Sequence, residues 1–149
     1  MKISTKGRYA LEAMTDLVLH AGDDIENIRS IAGRRNLSEN YLEQIFLSLR
    51  KAKLVESIRG PQGGYKIAKR SKDITASDIL HAVEGRMAPV QCLEEDCKEK
   101  CQFLGQCSTQ RVWAVLFQEM ENVLSNVSLE QLVEAVRLEE KNVVLDFII

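Results

Sequence analysis

The sequence predicts a mainly α fold carrying one small β-hairpin, and three observations support that prediction. Apolar residues recur at helical spacing along most of the chain, one short stretch turns strand-like around a Gly- and Pro-rich turn, and no apolar run approaches membrane-spanning length. With 149 residues, 45% of them hydrophobic, the chain can bury one respectable core, which favours a single domain with an appended element. The net charge of -2 hides a division: residues 1–72 carry 14 Lys and Arg against 8 Asp and Glu, whereas residues 73–149 carry 6 against 14. A basic half facing a polyanion and an acidic half with another task is the expectation.

The elements follow in order. Residues 8–21 place Tyr9, Ala13, Met14, Leu17, Val18 and Ala21 on one helical face, and Gly22 stops the helix. A shorter helix comes next, with Ile28, Ile31 and Ala32 inward and Arg29, Arg34 and Arg35 outward, ending near Asn36. Ser38 then offers an N-cap to a helix whose inner face is Leu42, Ile45, Phe46 and Leu49. Two helices joined by so short a turn make a helix-turn-helix. Residues 54–58 and 65–68 read as strands around Arg59-Gly60-Pro61-Gln62-Gly63-Gly64, a hairpin of the wing type. The expected fold is therefore a winged helix-turn-helix domain.

Thr75 and Asp78 stand at capping-box spacing and open a helix over 75–83, with Gly85 as its stop. Beyond Cys107, Val112, Trp113, Leu116, Phe117, Met120, Val123 and Leu124 form a broad stripe on a long helix. A small winged domain leaves such a helix little surface to cover, so a partner helix is expected and with it a homodimer. Ser128 and Gln131 cap a final helix with Leu129, Leu132, Val133 and Val136 inward, and the apolar residues 142–149 suit either strand pairing or packing on a partner. The expected organisation is a DNA-binding domain over 1–85, a cysteine loop over 86–108, and a dimerisation helix and tail over 109–149.

The chemistry of the first half points to DNA. In a helix-turn-helix the second helix lies in the major groove, and its outward residues here are Glu39, Asn40, Glu43 and Gln44. Asn and Gln amides match the paired edge of adenine, and a Glu accepts from cytosine or repels an incorrect base. A plain surface helix explains the same residues equally well; the wing breaks the tie. Gly60, Pro61 and Gly63 let a backbone approach a groove closely, while Arg59, Lys66, Lys69 and Arg70 supply charge for phosphates. The loop lacks the ending of a Walker sequence and the setting of a dinucleotide fingerprint, which argues against nucleotide binding.

All four cysteines, Cys92, Cys97, Cys101 and Cys107, fall in one polar segment with Glu94, Glu95, Asp96, Lys98, Glu99 and Lys100 among them. Crowded thiolates on a charged stretch suit a soft metal better than a core. Glu12 and Asp16 interrupt any secretory signal, so a cytoplasmic setting is expected, where clustered cysteines are metal ligands or redox sensors more often than disulfides. Zinc sites favour paired Cys-x2-Cys knuckles, and the gaps here of four, three and five residues lower zinc. His20 and His81, alone on helices, read as packing or surface residues.

Tyr41-Leu42-Glu43-Gln44-Ile45-Phe46, then Leu49-Arg50-Lys51-Ala52-Lys53-Leu54-Val55, and Arg59-Gly60-Pro61-Gln62-Gly63-Gly64-Tyr65 resemble the signature of the winged-helix regulators that include IscR, NsrR and CymR. The resemblance spans nearly the whole chain. It implies a homodimeric, non-enzymatic transcription factor that binds a double-stranded operator, with no membrane and no small-molecule substrate as partner. By position it implies Ser38, Asn40, Glu43, Gln44 and Arg59 as DNA readers, with Tyr41, Gly60, Pro61, Gly63 and Lys66 beside them. IscR-like members also imply an iron-sulfur cluster, most simply [2Fe-2S], with Cys92, Cys101 and Cys107 matching the ligand pattern. Those members have a His three residues after the last cysteine, where this chain has Gln110. Cys97 then becomes the candidate fourth ligand, and Glu12 from the first helix of a partner subunit the other. The competing readings are a cluster-free, CymR-like regulator responding to thiol oxidation or a protein partner and, more remotely, an iron-sulfur electron carrier, for which a wing is superfluous.

Overall fold

A computed structural model describes the backbone of residues 3–94, 101–103 and 105–148, with side chains to residue 142. Among the described residues, six α-helices and one antiparallel hairpin follow in order: α1 (Thr5–Ala21), α2 (Ile28–Arg35), α3 (Glu39–Lys51), β1 (Val55–Ile58), β2 (Gly64–Ile67), α4 (Ala76–Glu84), α5 (Gln110–Asn126) and α6 (Leu129–Ile148). The mainly α fold with a hairpin wing is the one the sequence predicts.

Helix α1 begins before the residue at which its apolar period becomes visible. The Ser4 hydroxyl accepts from the Gly7 N–H at 3.3 Å, and the Glu84 carboxylate accepts from the same N–H at 2.9 Å and from the Ser4 hydroxyl. The capped turn carries Lys6 and Gly7, which give no apolar signal, so only the local hydrogen bonds mark the start. Ala10, Ala13, Met14 and Leu17 are fully buried and form the spine of the core. Against this spine pack Ile31, Leu42, Ile45, Phe46, Leu49, Ile74 and Ile79, all without exposed surface. At ~25 cal/mol per Å² of apolar area buried, such residues dominate the stability of a small domain.

The turn between α2 and α3 is fixed by Asn36, left-handed at φ 53° and ψ 45°, a conformation Asn tolerates better than most residues. Its neighbour Leu37 donates its N–H to Ala32 O at 3.0 Å, and Ser38 caps α3 by accepting from the Tyr41 N–H at 3.2 Å. In the hairpin, Val55 faces Ile67, Glu56 faces Lys66, Ser57 faces Tyr65 and Ile58 faces Gly64. A further rung, absent from the sequence reading, joins it: Glu26 and Tyr65 exchange both backbone hydrogen bonds, at 2.9 and 2.8 Å. The segment before α2 thereby anchors the base of the wing.

Helix α2 adds a contact that its period does not show. Arg34 and Arg35, expected outward, reach back to Asp16, which has no exposed surface. Arg34 donates from Nε and Nη2 to Asp16 Oδ1 at 2.9 and 2.6 Å, and Arg35 from Nε to Oδ2 at 2.9 Å. Arg34 Nη2 also donates to Glu26 Oε2 at 2.9 Å, and Asp16, then Glu26, hold its guanidinium above its ordinary range against the effect of burial. A buried carboxylate requires such partners, so both arginines, partly exposed as their period predicts, bend their guanidinium groups back to Asp16.

The capping box on α4 is complete: Thr75 Oγ1 accepts from the Asp78 N–H at 3.1 Å and Asp78 Oδ2 from the Thr75 N–H at 2.9 Å. The Ser128 and Gln131 pair caps α6 in the same reciprocal way. Leu129 and Val133 enter the core beside α1, so the core extends beyond residue 85. Leu132 and Val136, expected inward, are only half-buried. Backbone bonds from Ala76 N–H to Val127 O and from Leu129 N–H to Ile74 O, both 2.8 Å, tie the starts of α4 and α6 together. The tail remains helical to Ile148 instead of forming a strand; its side chains from residue 143 lie outside those described. No helix among the described residues is long and apolar enough to cross a membrane.

Candidate nucleic-acid interface and cysteine loop

Helix α3 divides cleanly between two environments. Leu42, Ile45, Phe46 and Leu49 are fully buried, which turns Asn40, Glu43 and Gln44 to the exposed side. Ser38 lies exposed at its start, with its hydroxyl oxygen serving as the N-cap acceptor. Tyr41 is half-buried, its ring edge-on to Tyr9 with centroids 6.0 Å apart, so its role in the fold is to join α3 to α1.

The hairpin tip carries Arg59, Gly60 and Pro61, all exposed. Gly60 has φ 115°, and its carbonyl accepts from the Gly63 N–H at 3.0 Å, closing the turn. A Cβ at Gly63 would lie 2.1 Å from Ile58 O, so only glycine permits this closure. Lys66 is half-buried on β2 and pairs across the hairpin, its Nζ 3.5 Å from Glu56 Oε2. Arg70 donates to Asp73 Oδ2 at 2.7 Å, which leaves Arg59 at the tip as the more available cation. Between α3 and the wing lies a notch of about 410 Å³ whose walls include Arg29, Glu43, Gly60, Pro61, Gly63 and Tyr65. Glu43 and three of the sequence-predicted wing residues thus share one surface. Tyr65 was not singled out as a functional residue; its position directly after the paired glycines, at the mouth of a close backbone approach, was the available signal.

The cysteine loop is less assembled. Cys92 and Cys101 are half-buried and Cys107 exposed, all three as free thiols; Cys97 lies outside the described residues. Among the described residues no three metal-ligating side chains converge. Cys107 Sγ sits 3.4 Å from Thr109 Oγ1, and hydrogen bonding from that hydroxyl, then from the backbone N–H of Thr109, holds the thiol below its ordinary range. By donor chemistry, free and solvent-accessible thiols fit a soft metal or an iron-sulfur group. Glu12 is paired on α1 with Arg8, whose Nε is 3.8 Å away, at 40% side-chain exposure. Neither histidine joins the cysteines: His20 Nδ1 is 3.0 Å from Asp16 O, and His81 Nε2 is 2.9 Å from Glu121 Oε1.

Helix α5 presents Val112, Val115, Leu116 and Val123 to solvent, at 61, 54, 41 and 63% exposure. Its ties to the domain lie on the opposite side, where Glu121 Oε2 accepts from Ser77 at 3.3 Å and Arg86 stacks over the Phe117 ring at 5.1 Å.

Comparison with known proteins agrees with this architecture. Residues 3–135 match the model of the Rrf2 family, described as an iron-dependent transcriptional regulator. The HTH-type transcriptional regulator CymR of Bacillus subtilis is 41% identical over 132 residues, 89% of each chain. The solved structure of that CymR, titled the global cysteine regulator of B. subtilis, superposes with a TM-score of 0.73 at 39% identity, covering 91% of this chain and 98% of its own. T. potens IscR superposes at 0.72 with 38% identity, covering 91% and 88%. An exposed recognition helix beside a glycine-built wing, in a chain matched over most of its length by such regulators, has one consistent meaning: the protein belongs to the Rrf2 family and is a DNA-binding transcriptional regulator, not an enzyme.

Proposed function

We propose that the chain acts in the cytoplasm as a homodimer whose operator binding is modulated by an iron-sulfur cluster on the cysteine loop. The observation that carries the DNA part is the pairing of the exposed polar face of α3 with the wing across one notch. Asn40, Glu43 and Gln44 read base edges; Ser38, Tyr41 and Lys66 position the helix and contact the backbone; Arg59, with Gly60, Pro61 and Gly63, brings the wing tip into the neighbouring groove. The exposed stripe of α5 joins two copies, which sets two recognition helices on successive half-sites. Cys92, Cys101 and Cys107 hold the cluster, of the [2Fe-2S] type, with Cys97 as the fourth ligand or Glu12 of a second copy in its place. When bound, such a group supplies a centre sensitive to oxidants and to ligand exchange. Between binding states, this chain's own contribution is the short joint from the loop into α5, and from α5 to α4 through Glu121, His81 and Ser77.

Anaerobic purification with an absorption spectrum and iron and sulfide counts tests the cluster. Coloured protein that loses its iron when Cys92, Cys101 or Cys107 is replaced by Ala supports the assignment; colourless, iron-free protein that binds its operator normally overturns it. Gln44→Ala is expected to cost about 1–3 kcal/mol of operator affinity and to relax base preference, while Lys66→Ala weakens all sequences alike and reduces the salt dependence.

A second reading, a thiol- or partner-responsive regulator without a cluster, is favoured by the likeness to CymR and by Gln110 in the position of the expected histidine. It predicts iron-free protein whose operator affinity changes on mild oxidation, and in which Cys107, exposed where Cys92 and Cys101 are half-buried, is modified ahead of those two.

A further inference from the structure

Among the described residues, two polar side-chain contacts join α3 to the wing: Arg50 Nη1 donates to Ser57 Oγ at 3.3 Å, and the second, between two residues that line the notch, involves Glu43. The Tyr65 hydroxyl donates to Glu43 Oε2 at 3.0 Å. Everything else about Tyr65 is fixed: its ring packs on Phe46 with centroids 4.8 Å apart, its backbone pairs twice with Glu26, and 8% of its surface is exposed. The hydroxyl therefore sits where the core puts it. Burial, and then the bond to Glu43, hold it above the ordinary tyrosine range, so it stays a proton donor throughout neutral pH.

Glu43 is placed differently. It stands on the exposed side of α3, where a long side chain has several rotamers open to it. Held by Tyr65, the carboxylate lies back toward the wing with one oxygen occupied. Released, it extends from the helix as an acceptor-only group. An acceptor in the major groove favours the amino group of cytosine and opposes the acceptor edge of guanine. The tethered and released positions thus present different chemistry to the same base pair.

We propose that Tyr65 is a specificity-determining positioning residue: by holding the Glu43 carboxylate against the wing, it sets which base the regulator accepts beneath α3. The inference rests on the DNA-docking reading above and assigns a share of sequence choice to a wing residue whose side chain faces the protein.

The test uses the full-length protein and a duplex library randomised across the operator. Tyr65→Phe keeps the ring and its packing on Phe46 and deletes only the donor. It is expected to shift preference at the base pair under Glu43 by about fivefold or more, toward cytosine on the contacted strand, with the other positions and the thermal midpoint nearly unchanged. Glu43→Ala removes the group being steered, so the double variant should give the same preference profile as Glu43→Ala alone. Glu43→Gln retains an acceptor for Tyr65 and should stay closer to the parent protein than Glu43→Ala. If Tyr65→Phe weakens all sequences alike, or if its effect persists unchanged in the Glu43→Ala background, Tyr65 is only a structural tie and the inference is overturned. Should Tyr65→Phe lose the wing, the Glu43 variants decide: a preference unchanged in both, with Gln44→Ala still relaxing it, overturns the inference and leaves the docking model standing. A parent protein with no sequence preference overturns both.

Discussion

Asp16 is fully buried on α1, and the three side-chain N–H groups that donate to its carboxylate come from Arg34 and Arg35 on α2. Removing one partner of a buried ion cluster leaves the others uncompensated, at about 3–5 kcal/mol. Here the two arginine side chains are 30 and 31% exposed and can turn toward water, so Asp16→Ala should cost near the lower end, about 3 kcal/mol, read as a fall in the urea midpoint. Arg29→Ala, which breaks an exposed pair with Glu39, should leave that midpoint in place. The helical period does not announce this role. Asp16 is turned about 100° from Leu17 and farther still from Met14, off the predicted apolar stripe, and its partners lie on another helix whose own period points them outward. Periodicity describes one element at a time, and a network built across two elements is invisible to it.

Within an element, legibility depends on how many residues repeat the same signal. Helix α3 shows its apolar signal at four positions, and all four are buried as their helical spacing requires. The capping boxes of α4 and α6 were equally plain, because each is a local pair of side chains. The wing was legible as a hairpin but not as an anchored one, since the Glu26 to Tyr65 rung is a single residue with no alternation to betray it. Gly64 shows what that rung demands. A Cβ there would lie 2.1 Å from Glu26 O and 2.6 Å from the Glu26 carbonyl carbon, both backbone atoms with little freedom to yield. Gly64→Ala should therefore drive the Glu26 segment off the wing, at about 1–3 kcal/mol for the overlap. Hydrogen exchange at the Glu26 and Tyr65 amides should rise with it. Gly33→Ala makes the contrast: a Cβ on that exposed turn of α2 meets nothing within 4 Å, and the change should stabilise by up to about 1 kcal/mol.

At the scale of the whole molecule, the cysteine spacing was readable but its assembly was not, because a polar, charged segment carries no apolar period to fix its path and such a loop takes its order from a bound group; among the described residues the three thiols do not converge. The long helix presents the opposite case. None of the seventeen residues of α5 is buried, yet Val112, Val115, Leu116 and Val123 are large and apolar. Complete burial of such a side chain yields about 1.5–3 kcal/mol, and these four, already about half covered, retain roughly half of that for the proposed contact with a second copy. The proposed dimer would double the number of phosphates contacted and so steepen the salt dependence of operator binding. Leu116→Glu places a charge in the centre of the stripe while disturbing no buried contact of the monomer. Sedimentation should show it shifting the protein from dimer to monomer, with its helical content and thermal unfolding intact. Operator affinity should fall far more than a single lost phosphate contact explains, and the salt dependence should drop toward that of a single domain. A Leu116→Glu variant that remains dimeric would move the interface away from α5 and leave its apolar face in need of another partner.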